Sequence, residues 1–415
     1  MSSRLVLLTQ IASAVALSAC TGAAPQQPMY DVTEAEASWG EAGPPMGALW
    51  SSSSAPETQG VIIPAGFFAR VYARIASPRS MSVAPNGDLF VTSPARGTPG
   101  GEGGGMGEIV VLSDDDRDGN PERHTFATGL ADVHSVAVRQ GFVYFTTGAT
   151  LWRTPYTVGL RAENPAIREQ VLTYPTRDDT RWTHGVDVRS DGTVFSTVGV
   201  WGVSRACTAR VNQGEILRVN TVGMPAQPLV TGLRNPLYVR CHPSQPLCLA
   251  AELGDDGGAT WGALEKILSL DDAMQDVGFP CCVTQGRETP FNGGAASCAN
   301  VTPGVATFPL SDTPFGMDWE PGVWPHPFNR SLFVALHGSF YSTPRWAGAR
   351  VVFGETDAQG RPVGRFNDFV VGFGPSTPTL RRPADIAFAG DGRMYLADDR
   401  AGLILWIAPS DLRRH

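Results

Sequence analysis

Arg79, Arg234 and Arg382 stand at the same place in three copies of one repeated pattern, each just before an alternating apolar stretch. A guanidinium is always charged and presents a planar fork of donors, so several facing one space make a site for a ligand carrying carboxylates. Three histidines occupy comparable points. His134 and His184 lie at the starts of two further copies, and His337 ends the apolar stretch SLFVAL. An imidazole near its free pKa takes a proton from a hydroxyl at neutral pH. The acidic turn AELGDD, from Ala251 to Asp256, places Glu252 and Asp255 beside backbone carbonyls, the oxygen donors a hard cation prefers. Asp114-x-Asp116-x-Asp118-Gly119 opens like a calcium loop, but its twelfth position is Thr125 in place of the bidentate Glu. Hairpin-turn chemistry accounts for Asp and Gly there as well.

What must position these residues is a pattern of turn-like start, alternating apolar strand, Gly/Asp/Pro turn and second apolar strand. It reads PRSMSVAPNGDLFVT from Pro78, VHSVAVRQGFVYFTT from Val133, THGVDVRSDGTVFST from Thr183, RNPLYVRCHPSQPLCLAA from Arg234, TPFGMDWEPGVWPHPFNRSLFVAL from Thr313 and RPADIAFAGDGRMYLAD from Arg382. The starts are 55, 50, 51, 79 and 69 residues apart. Repeats near 50 residues with several short strands each predict an all-β fold, a six-bladed β-propeller in which the start of each inner strand faces one central channel. VIIPAGFFARVYARI, from Val61, reads as an extra strand. An open sheet edge invites aggregation, so the segment around Phe67–Ala73 is expected to pair into the last blade, residues 382–408, and close the ring. WGALEKILSLDDAMQ fits a short helix or a strand. The loop GTPGGEGGGMG, from Gly97, has the glycines of a phosphate cradle without its strand–Gly-Lys–helix context and reads as an inter-strand loop.

The chain starts with Arg4, an apolar run from Leu5 to Leu17, and Ser18-Ala19-Cys20. This is a secretory signal over residues 1–19, too short to span a membrane. Leu17-Ser18-Ala19-Cys20 resembles the bacterial lipobox, which implies an acylated Cys20. With Thr21 following, the resemblance implies an outer-membrane lipoprotein facing the periplasm or cell surface, held to the membrane by its lipid alone. Residues 20–59 are rich in Ala, Pro, Ser, Gly and Glu and read as a tether. Residues 60–412 suit one propeller. A net charge of −8 argues against nucleic acid as a partner. Lys266 is the sole lysine among 32 basic residues, so cations in a site must come from Arg or His. An even number of cysteines beyond Cys20 in an exported chain predicts disulfides. Cys241 and Cys248 flank one turn and suit a local bridge. Cys282 with Cys298 would staple a Gly-rich loop, leaving Cys207 for Cys281.

PRSMSVAPNGDLFV, GLRNP (Gly232–Pro236), AELGDD, VGFPCC (Val277–Cys282), HGS (His337–Ser339) and RPADIAFAGDG occur in that order. Over about residues 60–410 the chain thereby resembles the glucose/sorbosone dehydrogenase family. These are six-bladed enzymes that oxidise sugars with pyrroloquinoline quinone and calcium. The resemblance implies that Arg79, Arg234, Asn235, His337 and Arg382 bind the quinone, and that Gly254 and Asp255, with Glu252, hold calcium. It also implies that Arg234 and Asn235 stabilise charge on the quinone. The family's base is a His opening the third repeat within His-x-x-Arg. Here Arg181 occupies the His place and His184 the Arg place, so His184 is the expected base and His134 the next candidate. The electron acceptor is unknown, and no Cys-x-x-Cys-His motif carries electrons onward.

Two other readings remain at this stage. A calcium-dependent lactonase-type hydrolase would need a carboxylate ring, such as Glu252, Asp312 and Asp385. A non-catalytic carbohydrate-binding propeller lipoprotein would need only a pocket and an anchor. The N-terminal reading has a direct check: intact-mass spectrometry of the mature protein should show Cys20 as an acylated first residue, and an unmodified N-terminus at another position refutes it.

Overall fold

The computed structural model describes the backbone of 37–39 and 50–52 and residues 60–94, 105–175, 181–200, 207, 214–219, 225–255, 262–271, 273–294, 296–310, 312–338, 348–373 and 382–414. All of them belong to the unit from Asp31 to His415. Six four-stranded blades surround an axis. Their inner strands are Met81–Val83, Val136–Arg139, Val186–Val188, Asn235–Cys241, Pro314–Trp319 and Pro383–Phe388, in blades 1 to 6. Each is followed by an antiparallel second strand, as in Leu89–Ser93 of blade 1 and Met394–Asp398 of blade 6. The inner hairpins of blades 1, 3 and 6 turn at Gly87, Gly192 and Gly392, whose φ values of 91°, 89° and 89° suit only a residue without Cβ.

Second strands are buried on both faces because each blade packs between two others, so they read as apolar runs. The outermost strand of blade 1, Glu122–Ala131, alternates with exposed positions instead. The core therefore lies between blades. Phe90 and Ile109 of blade 1 meet Val143 and Phe145 of blade 2, and Phe333 and Phe353 of blade 5 meet Leu396 and Leu405 of blade 6.

The ring closes as the sequence predicts. Phe67–Arg74 pairs antiparallel with Leu403–Pro409 and completes the last blade. Leu264–Ser269 is a strand of blade 4, so WGALEKILSLDDAMQ is not helical there. Cys207–Cys281, Cys241–Cys248 and Cys282–Cys298 are bridged as expected, and two of them staple the insertion that makes the fourth interval long. Within the stretch expected as a tether, Ala37–Trp39 lies between the outer strands of blades 4 and 5, parallel to both. Trp50–Ser52 pairs with Ile62–Pro64. The signal segment, Cys20 and most of the Gly97 loop lie outside the described residues.

Side chains stitch one inner strand to the next. Ser80 Oγ accepts from Val136 N (3.4 Å), Ser135 Oγ from Val186 N (3.2 Å) and Asp187 Oδ2 from Cys241 N (2.9 Å). Asp318 Oδ2 accepts from Phe388 N (2.9 Å) and Asp385 Oδ2 from Met81 N (2.7 Å). Between blades 4 and 5 the bond is reversed, with Arg240 Nε donating to Met317 O at 2.9 Å. The same guanidinium donates to Met81 O, Ile386 O and Asp385, so one buried cation ties four blades. Burial pushes the Asp385 carboxyl up to about 6, with Arg240 opposing. Replacing Arg240 by Met should lower stability by roughly 3–5 kcal/mol, because Asp385 is left buried and uncompensated. Urea denaturation should show that loss, and Arg240→Met combined with Asp385→Asn, which removes the charge but keeps an acceptor for Met81 N, should recover part of it.

Candidate active site at the channel mouth

Two of the arginines just before inner strands, Arg79 and Arg382, meet His337 on one carboxylate that sequence reasoning missed. Asp399, at the end of the second strand of blade 6, is fully buried. It accepts from Arg79 Nη1 of blade 1 (2.5 Å) and from Arg382 Nε and Nη2 (2.8 and 2.9 Å). His337 Nε2, on blade 5, lies 3.2 Å from it and 3.5 Å from Arg79 Nη1. Burial alone would raise the Asp399 carboxyl, but Arg382, Arg79 and His337 outweigh it and hold it well below the ordinary value. His337 is pushed down to about 3, first by burial and then by Arg382 and Arg79, so it is neutral. The only signal in the sequence is the acidic pair Asp398-Asp399 directly after a buried strand. Asp398 acts locally, accepting from Arg382 N, Arg400 N and Ala401 N.

Aromatic rings flank this cluster. Phe315 stacks on His337 with centroids 3.7 Å apart. The Arg79 guanidinium lies 5.6 Å from the ring centroids of both Phe315 and Trp182, and Tyr238 donates its hydroxyl to Arg79 O at 2.5 Å. His134 packs edge-on to Trp182 (5.5 Å) and against Tyr238 (5.3 Å). Its Nδ1 lies 3.0 Å from the His184 carbonyl. A carbonyl only accepts, so in the neutral ring Nδ1 carries the proton and Nε2 is the basic atom.

Arg234 and Asn235 form the blade 4 side. Arg234 N donates to Glu252 Oε1 (3.0 Å) and Arg234 Nη1 to Gly254 O (2.6 Å). The Asn235 side chain is 1% exposed, and neither Oδ1 nor Nδ2 has a hydrogen-bond partner. A Cβ at Gly199 would come within 2.1 Å of Asn235 Oδ1, so glycine makes room for that amide. Arg181 joins the same side through Nε to Val200 O at 3.2 Å, and Val200 N donates to Arg234 O at 2.9 Å.

His184 is set apart from the cluster. Its ring is fully buried, stacked on Tyr174 at 3.6 Å, with Nδ1 2.8 Å from Thr197 O and the Gly148 backbone beside it. These contacts make it a wall between blades 2 and 3. The calcium donors expected at Glu252, Gly254 and Asp255 are buried, but two already hold cations: Gly254 O takes the Arg234 guanidinium, and Lys266 Nζ lies 3.9 Å from Glu252 Oε2. As arranged they do not fit a dication. Among the described residues, the one group of three carboxylates close enough to share an ion is Asp114, Asp116 and Asp118, in an exposed turn whose backbone N–H groups they cap. The carboxylates Glu252, Asp312 and Asp385 do not form a ring, since each answers its own cation: Lys266, Arg350 (2.7 Å) and Arg240 (3.2 Å).

No family model and no curated protein sequence matches this chain. Solved structures do. The calcium structure of a Trichoderma reesei member of carbohydrate-active enzyme family AA12 superposes with a TM-score of 0.65 at 16% identity, over 87% of this chain and 99% of that one. The holo pyranose dehydrogenase PQQ domain from Coprinopsis cinerea gives 0.63 at 16%, over 90% and 100%. The PQQ-bound aldose sugar dehydrogenase from Streptomyces coelicolor gives 0.54 at 16%, over 83% and 99%. At this identity the likeness establishes a shared fold.

Burial holds the His184 imidazole down at about 4 against an ordinary value of 6.5. The unfolded chain therefore binds that proton first, and the stability His184 contributes is complete above pH 6.5 and lost as the pH falls toward 4. At 1.36 kcal/mol per pKa unit this comes to about 3 kcal/mol. Asp312 and Asp385, both raised to about 6 by burial, act in the opposite sense. The clean readout is thus the difference in unfolding free energy between wild type and His184→Gln, which should shrink steadily between pH 6.5 and 4.

Proposed function

We propose that this protein is a sugar oxidoreductase whose channel mouth holds pyrroloquinoline quinone. The observation that carries the reading is the Asn235 amide, buried beside Arg234 with both polar atoms unpartnered. An unmade bond on a buried polar group costs about 1–3 kcal/mol, and such groups persist where a ligand completes them. The guanidinium groups of Arg79 and Arg382 suit the cofactor's carboxylates, and the aromatic faces of Trp182 and Phe315 suit its flat ring. Arg79 meets Asp399 and His337 through Nη1.

When bound, the quinone would supply the redox chemistry by accepting a hydride from the sugar. The chain's own contribution is placement and proton handling. Arg234 and Asn235 present donors where negative charge grows. His134, with Nδ1 held by a carbonyl, keeps Nε2 as proton acceptor beside Trp182 and is the stronger base candidate, since His184 is walled in by Tyr174. No step is assigned to calcium, because two of its three expected donors, Gly254 and Glu252, already hold cations. Export, acylation of Cys20 and a periplasmic or surface location belong to the same proposal, with the redox partner an external acceptor.

A second reading has an observation in its favour. Both histidines at the strand starts are fully buried, and Arg181 stands where a base is expected. That suits a propeller that binds without turning over. Quinone titration followed by a sugar panel with an artificial electron acceptor separates the two. Quinone binding with oxidation supports the enzyme, sugar binding without oxidation supports the silent propeller, and absence of quinone binding removes the enzyme reading. Asn235→Leu should weaken quinone binding by about tenfold or more. The same change should stabilise the ligand-free protein by about 1 kcal/mol, because it removes an unsatisfied amide.

A further inference from the structure

The cluster at the mouth has a charge balance that its arginines alone do not show. Among the described residues of this cluster, Arg79 and Arg382 contribute two positive charges, Asp399 carries one negative charge, and His337 stands neutral between them. These groups come from blades 1, 5 and 6, and all are buried. Without the carboxylate, two desolvated guanidinium groups would repel each other and draw in any small anion. With it, both forks are held side by side in one orientation, since Arg382 binds Asp399 through two atoms and Arg79 through one.

We propose that Asp399 is a positioning residue that sets which anion the channel accepts: it pairs Arg79 with Arg382 and halves their charge, so that a flat carboxylate-bearing ligand is taken and a compact inorganic dianion is refused. A compact dianion gains chiefly from net charge, which Asp399 lowers. A planar ligand gains from fork geometry and from the Trp182 and Phe315 faces, which Asp399 preserves. This rests on reading the mouth as a carboxylate-ligand site.

The test uses inorganic sulfate as its probe, titrated calorimetrically into the full-length protein, with quinone binding read separately by fluorescence at constant ionic strength. Wild type should take up sulfate only weakly, and sulfate should not compete with quinone. In Asp399→Asn, sulfate should bind about tenfold tighter and compete with quinone, while quinone affinity itself falls. Asp399→Asn combined with Arg382→Gln restores the charge and should return sulfate binding to the wild-type level. Asp399→Glu keeps the charge and should keep sulfate out.

A folded Asp399→Asn protein with wild-type sulfate affinity overturns the inference. So does a charge-restored double variant that still binds sulfate, or tight sulfate binding by wild type. If Asp399→Asn does not fold, Asp399→Ser gives the same reading, and wild-type sulfate affinity in it overturns the inference. Should wild type bind no quinone, the cofactor reading fails on its own, and the sulfate comparison still judges Asp399.

Discussion

An inner strand of a propeller has no strand beside it on the channel side, and a backbone donor buried without a partner is costly. In this chain the preceding blade supplies the acceptor. Serines do so between blades 1, 2 and 3, and aspartates on blades 3, 5 and 6 reach the next strand in turn, the last of them closing back to Met81. The seam between blades 4 and 5 is held by Arg240 as donor. This ring of side-chain to backbone bonds fixes the spacing of the inner strands, and everything at the mouth inherits its position from them.

That inheritance is visible one layer up. Thr92 Oγ1 donates to His134 O and Thr146 Oγ1 to His184 O, each at 2.7 Å, so a second strand in one blade orients the strand start of the next. The two histidines occupy equivalent repeat positions but have different surroundings. His134 meets Trp182 and Tyr238, whereas His184 meets Tyr174. Repetition therefore equips every blade with the same platform, and the residues packed around it decide which platform does chemistry.

The buried charges divide into two classes. Arg240 with Asp385 ties blade 4 to blade 6, and Arg350 with Asp312 and Asp368 braces blade 5 internally. Around Asp399, by contrast, two guanidinium groups share one carboxylate. Gathering like charges in a desolvated place is expensive for a fold, and together with the unpartnered Asn235 amide it distinguishes the mouth from the other ion pairs.

The repeats, the ring closure at Phe67–Arg74 and the Cys241–Cys248 and Cys282–Cys298 bridges were legible from the chain alone, because strand alternation, turn residues and short cysteine spacings are local patterns, and Cys207–Cys281 followed by elimination. Of the three arginines expected to meet on the axis, Arg79 and Arg382 share one carboxylate, whereas Arg234 and the expected base His184 have other neighbours. Tertiary structure alone decided that Asp399 joins Arg79 and Arg382, that Arg234 lies on Gly254 O, and that His184 is walled in. Arg79 and Asp399 are 320 positions apart, and period-two alternation says which face a side chain takes but not which distant blade it meets. Net charge, burial and the state of a proton depend on those meetings, so they belong to the assembled ring.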